Sequence, residues 1–203
     1  MSRKLLVATH NQGKVREYRE LLADLPIQVT YLDEEGIEME VAETGQTFAE
    51  NAQLKALTYA RASGLWTWAD DSGLEVDALG GAPGIRSARY AGDGATDADR
   101  YRKLLNALAG VPWDRRTARF RCVVALAIPD GQVRCAEGTC EGVIAFGPTG
   151  SNGFGYDPVF YLPERGQTMA QLPPEVKNEI SHRGRAARAA KELLMEMLQS
   201  ARR

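Results

Sequence analysis

The chain of 203 residues has little cysteine and histidine, three and two residues respectively. Cys122, Cys135 and Cys140 form no C-x-x-C pair and leave an odd count, which argues against a disulfide framework or a zinc-ligand set. They are expected as reduced, mostly buried thiols of a cytoplasmic protein. His10 and His182 are too isolated for a histidine-rich metal site. No apolar run approaches the roughly 18 residues of a spanning helix, so no membrane role is expected. The apolar part of residues 1–9 is too short for a signal peptide. Neither sign of charge is in excess, because 25 Lys and Arg stand against 27 Asp and Glu, for a formal net charge of −2. A general binder of nucleic-acid polymer needs a basic excess to meet phosphates, and that class is set aside. A local basic pocket for a small polyanion stays open.

What is present is ordinary for a globular protein: 44% hydrophobic and 26% charged residues,. The length favours a single domain over residues 1–203, large enough for a core without staples. Residues 4–9 read as a buried strand. Val15, Tyr18, Leu21, Leu22 and Leu25 fall on one helical face that Pro26 ends. Residues 27–32 read as a second strand and 33–42 as an acidic loop. Thr47 is placed as an N-cap with Glu50 at capping-box spacing, opening a helix that stops at Gly64. A third strand covers 65–69. After an irregular glycine-rich loop around 80–84, a helix is expected over 96–109. The strand-rich runs 119–128 and 132–146 are joined by a Pro-Asp-Gly turn as a hairpin. Ser181 caps a last helix. The order describes an α/β fold with a mixed β-sheet flanked by helices.

Four polar segments interrupt this pattern. In Thr9-His10-Asn11-Gln12-Gly13-Lys14 a strand passes into a helix, whose unpaired N–H groups and positive dipole end suit phosphate. Lys14 adds a cation, and Thr9 and Asn11 can bond phosphate oxygens. The first glycine of a Walker A loop is missing and Val15 stands where Ser or Thr would follow the lysine. An ordinary turn with a solvated lysine explains the same residues. In Asp70-Asp71-Ser72-Gly73 two carboxylates follow an apolar strand, at the carboxyl end where open α/β sheets place ligands. Extended backbone sends the two side chains to opposite faces, so they should do different work: one for Mg²⁺ or a water proton, the other for neighbouring backbone. Asp-Ser-Gly is also turn chemistry. Glu43 and Glu50 add carboxylates, Glu50 being explained as well by the capping box. Mg²⁺ takes one or two carboxylates together with substrate phosphates and water.

The third segment, Phe154-Gly155-Tyr156-Asp157-Pro158, follows a loop rich in glycine. Two aromatic rings there suit stacking on a planar base, with Asp157 for polar contacts, or simply pack into core. The fourth, from Lys177 to Arg183, sets two cations and His182 at a helix start, where basic residues gain nothing from the dipole. They could engage phosphate or the oxygen of a base. Together the four segments suit a Mg²⁺–nucleoside triphosphate.

At these residues the chain resembles the inosine triphosphate pyrophosphatase family, and within it the bacterial dITP/XTP-hydrolysing branch. The matching runs are Ala8 to Lys14, Glu43-Thr44-Gly45, Phe48 to Ala52, Ala69 to Leu74, Gly80 to Ile85 with Ser87 to Gly92, Gly153 to Pro158, and Ser181 to Gly184. The resemblance implies hydrolysis of ITP, dITP and XTP to the monophosphate and pyrophosphate with Mg²⁺. It implies an elongated two-lobed fold with the active site in the central cleft, and a homodimer. Asp71 matches the general base and a metal-associated acid. Thr9, His10, Asn11, Gln12, Gly13, Lys14, Ser72, Phe154, Gly155, Tyr156, Asp157, Lys177, His182 and Arg183 match substrate-binding positions. In that reading Phe154 stacks the base, and donors near His182 and Arg183 read its 6-oxo group. Many bacterial relatives carry two acids before Thr-Gly, one tied to the metal, whereas here Ala42 precedes Glu43. Either Glu43 serves alone as the second metal ligand or water replaces it. Two other readings compete: a catalytically inactive nucleotide-binding module, and a pyrophosphatase of the septum-inhibitor type acting on pyrimidine or methylated nucleotides. Asp70, Asp71 and Lys14 speak against the first, and the absence of paired arginines in the opening segment against the second.

Overall fold

The apolar start of the chain forms β1 (Lys4–Val7), the first strand of a computed structural model that describes residues 4–201. It lies between β2 (Gln28–Tyr31) and β3 (Trp66–Val76) and runs parallel to both, Val7 facing Tyr31 on one side and Trp68 on the other. Parallel neighbours need crossovers. Helix α1 (Gln12–Leu21) supplies the first and α2 (Phe48–Ser63) the second. Then follow α3 (Asp97–Ala107), β4 (Thr117–Ala127), β5 (Val133–Ile144), β6 (Phe160–Leu162), β7 (Gln167–Thr168), α4 (Pro174–Ile180) and α5 (His182–Ser200). The strand order is β2-β1-β3-β4-β5-β6-β7. The β5–β6 and β6–β7 pairs are antiparallel, so the sheet is mixed, as the element order implied.

The chain gathers into two compact units. One holds residues up to 71, 122–138 and those from 183 onward; the other holds 72–121 and 139–182. Each has its own apolar core. In the first, Leu5, Val7, Tyr18 and Trp68 pack with Ala190 and Leu194 of α5. In the second, Leu74, Leu104, Phe120, Phe160 and Met169 come together. Among the described residues no helix is long and apolar enough to cross a membrane. The three cysteines are free, Cys122 and Cys140 buried and Cys135 exposed.

The helix ends follow their residue types. The Thr47 and Thr96 hydroxyls each accept the backbone N–H three residues on, and Gly64 ends α2 in the left-handed region at φ 69°,. Glu50 Oε2 reaches back to Gln46 N at 2.6 Å, one residue before the cap.

Two expectations are corrected. The third strand does not end at Ala69: β3 runs on through Asp70, Asp71, Ser72 and Gly73 to Val76. Asp-Ser-Gly reads as a turn locally, but Leu74 and Val76 are buried and β4 lies alongside, so pairing and core outweigh turn propensity,. The strand that does end is β1, at Val7 opposite Trp68, so the aspartates follow the end of their parallel neighbour. Lys177 does not stand at the start of the last helix. It lies in α4, opened by Pro174 at its first position, and α4 is separated from α5 by Ser181,.

Candidate active site

In the first unit, β1 delivers the chain to the N-terminus of α1. Asn11 caps this helix, its Oδ1 accepting from Lys14 N at 3.0 Å, and Thr9 Oγ1 accepts from Asn11 N at 3.2 Å. Gly13 is buried in the first turn. The Lys14 ammonium, on that turn, sits 2.9 Å from Asp70 Oδ2 and 3.4 Å from the Asp70 carbonyl. His10 and Gln12 turn elsewhere. His10 Nδ1 lies 3.2 Å from Asp33 Oδ1, and Gln12 Nε2 donates to Asp33 Oδ2 at 3.3 Å. His10, Asp33, Gly36, Ile37, Glu38 and Glu40 line a cavity of about 410 Å³ whose carboxylates disfavour phosphate,.

The adjacent aspartates of β3 face different elements, as alternation along a strand requires. Asp70 meets α1 and α5: besides Lys14, Arg183 Nε lies 3.7 Å from its Oδ2. Burial alone would raise the pKa of Asp70, but Lys14, Arg183 and Lys55 overcome it and hold the carboxyl far below the ordinary range. Asp71 meets α2, where Asn51 Nδ2 donates to its Oδ2 at 3.0 Å. Here burial prevails, helped by Glu43, and the pKa is raised although Lys55, Lys14 and Asn51 oppose it. The Asn51 amide is oriented by Gly45, whose N–H donates to Asn51 Oδ1 at 2.8 Å. A Cβ on Gly45 would stand 2.8 Å from that same Oδ1, so the close approach needs glycine.

Lys55, one turn beyond Asn51 on α2, binds Glu43 Oε1 and the Asp70 carbonyl, each at 2.6 Å. Burial works against its charge, yet Asp71, Asp70 and Glu43 keep its pKa raised. Arg183 opens α5 fully buried, and its Nη1 donates to Glu17 Oε2 at 2.6 Å. Asn51 stands in the sequence only within the matching run Phe48 to Ala52, with no role assigned, and Lys55 and Glu17 escape the sequence reading. For Asn51 and Lys55 the available signal is a polar side chain on the face of α2 that also carries Ala52, Ala56, Tyr59 and Ala60, all buried.

The second unit brings Phe154, Asp157 and Lys177 together. Asp157 Oδ2 accepts from Phe154 N at 2.9 Å and from Lys177 Nζ at 2.5 Å, and both charged side chains are buried. The Lys177 ammonium stands 4.9 Å from the centre of the half-buried Phe154 ring. Gly155 N donates to Asp97 Oδ2 at 2.7 Å. Tyr156 belongs to the core, its hydroxyl donating to Ser87 O at 2.8 Å, so of the two aromatic side chains only Phe154 is partly exposed. The buried His182 ring stacks on Phe120 with centroids 4.6 Å apart. Ser72, half-buried in β3, follows Asp71 directly.

Gly153 adopts φ +75°, and a Cβ there would collide with the Asp157 carboxylate and the Lys177 ammonium. Gly153→Ala is therefore expected to cost about 1–3 kcal/mol of stability. Thermal unfolding beside the wild type measures this, and an unchanged melting temperature would show that the Asp157–Lys177 pair gives way without cost.

Among the described residues no three His, Cys, Asp or Glu side chains group as a metal cage. The two acids near Lys55, Asp71 and Glu43, are within the number a hard cation takes from protein when phosphate and water supply the rest.

The chain has extensive relatives among known proteins. The sequence model of the Ham1 family matches residues 5–193. The chain is 55% identical over 191 residues to a dITP/XTP pyrophosphatase of Desulforamulus reducens, covering 94% of this chain and 95% of that one. It is 55% identical over 184 residues to the protein of that name in Geobacillus kaustophilus, with 91% and 90% covered. Among solved structures, a HAM1 protein from Coxiella burnetii superposes with a TM-score of 0.87 at 44% identity, over 96% of this chain and 99% of that one. A nucleoside-triphosphatase / dITP/XTP pyrophosphatase from Mycobacterium abscessus gives 0.75 at 42% identity, over 92% and 98%.

Proposed function

The chain belongs to the Ham1 family, and from that premise we propose that it hydrolyses ITP, dITP and XTP to the monophosphate and pyrophosphate. The observation that carries this reading is Asp71: a buried carboxylate of raised proton affinity, oriented by Asn51 and close to two lysines. A buried carboxylate held in place by the Asn51 amide is positioned to act as a general base, so Asp71 takes the proton from the attacking water,. Lys14 and Lys55, with the N-terminus of α1, offset phosphate charge. Asp70 stays ionised and anchors these cations, which keeps it out of proton transfer.

Pyrophosphatases of this kind work with a divalent cation, and Mg²⁺ fits the donor set here. Asp71 and Glu43 are hard oxygen ligands that repel each other, as the upward push of Glu43 on the Asp71 pKa records,. These two residues would hold the ion, with Glu43 leaving its bond to Lys55. When bound, Mg²⁺ offsets the charge that builds on the departing pyrophosphate. In the second unit, Phe154 offers a face to the base. Lys177 carries only N–H donors, which suit a 6-oxo group and meet the 6-amino group of adenine with like polarity. The same reading gives a cytoplasmic homodimer acting as one functional domain.

The test is pyrophosphate release from ITP, XTP, ATP, UTP and dTTP with and without Mg²⁺. Magnesium-dependent turnover of ITP and XTP, well above that of the others, is expected. Preference for UTP or dTTP would assign the chain to the septum-inhibitor type, and tight ITP binding without turnover would make it a binding module.

A further inference from the structure

We propose that Glu17 is a positioning residue for Lys14, acting through Arg183 and Asp70. The proposal rests on the reading of Lys14 as a phosphate-binding group. Lys14 and Glu17 stand three apart on α1 and so share a face of the helix. Lys14 Nζ takes Asp70 Oδ2 at 2.9 Å, and Arg183 Nε approaches the same oxygen at 3.7 Å. Two cations thus compete for one carboxylate oxygen, where the Asp70 and Arg183 side chains are 1% and 2% exposed. So little water is present that neither cation is well screened.

Glu17 settles this competition. Its Oε2 accepts from Arg183 through a different nitrogen, Nη1, at 2.6 Å. The charges then run in alternation, Glu17, Arg183, Asp70, Lys14, and Oδ2 of Asp70 is left chiefly to the lysine. Cys122 Sγ stands 3.7 Å from Asp70 Oδ2 and the Tyr18 ring 6.0 Å from the Arg183 guanidinium, and burial raises the pKa of both, so neither adds a negative charge. Without the Glu17 charge, Arg183 leans harder on Asp70 and the ammonium loses its fixed place at the mouth of α1. Glu17 touches no reacting atom in this scheme. It sets where Lys14 stands.

The test is calorimetric titration of the full chain with tripolyphosphate in magnesium buffer, as a double-mutant cycle. Glu17→Gln is expected to weaken tripolyphosphate about tenfold in the wild-type background and by less than about twofold in a Lys14→Met background. A general structural defect would weaken it by the same factor in both, and that result overturns the proposal, as does unchanged binding in the wild-type background. Glu17→Asp, which keeps the charge on a shorter arm, carries the comparison if Glu17→Gln does not fold. An approximately threefold loss confined to the background with Lys14 is expected, and equal losses in both overturn it. Tripolyphosphate has no base and needs no turnover. An intact cycle in a protein that fails to hydrolyse ITP would therefore remove the assigned reaction while leaving the role of Glu17.

Discussion

Asp71→Asn is expected to lower kcat for ITP by about a thousandfold, with ITP binding kept within a few fold. The amide has the shape of the carboxylate, and its oxygen still accepts from Asn51 Nδ2, so the local geometry survives,. What is lost is the ability to take a proton from water. Burial and Glu43 raise the pKa of Asp71 in the folded protein, so the folded state holds that proton more tightly than the unfolded chain. The ionised form therefore subtracts from stability as pH rises through the ordinary aspartate range. Metal-free Asp71→Asn should then be at least as resistant to urea at neutral pH as the wild type, a trade of stability against activity common at catalytic positions. Single-turnover pyrophosphate release, ITP calorimetry and urea unfolding test the three parts. Near-wild-type turnover would remove Asp71 from the base role.

Asp70→Asn should have the opposite signature, a loss of about 3–5 kcal/mol of stability at neutral pH, because it strands buried cations without their carboxylate. The sign of the pH dependence follows from the cause of the shift. Burial opposes ionisation of Asp70, but Lys14, Arg183 and Lys55 prevail and depress its folded pKa below the ordinary 3.8. The stability it contributes is present above that ordinary value and drains away as pH falls from there toward the folded pKa. Urea unfolding of wild type and Asp70→Asn should differ most near pH 7 and converge in acid. Curves that stay parallel down to strong acid would show that the charge of Asp70 is not what holds this part of the molecule. Turnover should fall as well, because Lys14 loses its anchor.

Much of this molecule is legible in the sequence where a local rule suffices. Apolar alternation and helical spacing place β1, α1, α2 and the β4–β5 pair, and Thr47 and Thr96 announce their helices by short-range hydrogen bonds. The strand through Asp70-Asp71-Ser72-Gly73 is hidden because local turn chemistry and long-range pairing give opposite answers, and pairing wins. Within the candidate site, residues met as contiguous runs, such as Thr9 to Lys14 and Phe154 to Asp157, are easy to single out. Their individual side chains are not: Tyr156 is absorbed by the core, and His10 turns to Asp33. Arg183 reads in the sequence as a residue for phosphate or for the oxygen of a base, and its guanidinium contacts Glu17 and Asp70. That contact joins positions 166 residues apart, a separation at which no spacing rule speaks. Lys55 and Asn51 are masked by the small apolar residues that share their face of α2.

Adjacent residues usually adapt together, since a change at one disturbs the packing of the other. The pleat of β3 loosens that tie by giving the two carboxylates different hydrogen-bonding partners, Lys14 for Asp70 and Asn51 for Asp71, although Lys55 acts on both. Substitutions among the partners of Asp70 should register in the melting temperature and, through Lys14, in phosphate binding, and those among the partners of Asp71 chiefly in the rate. A lineage moving to a hotter or colder habitat that retunes Glu17 or Arg183 would shift heat tolerance and phosphate binding together, while the Asn51 contact to Asp71, one peptide bond away, stays as it is.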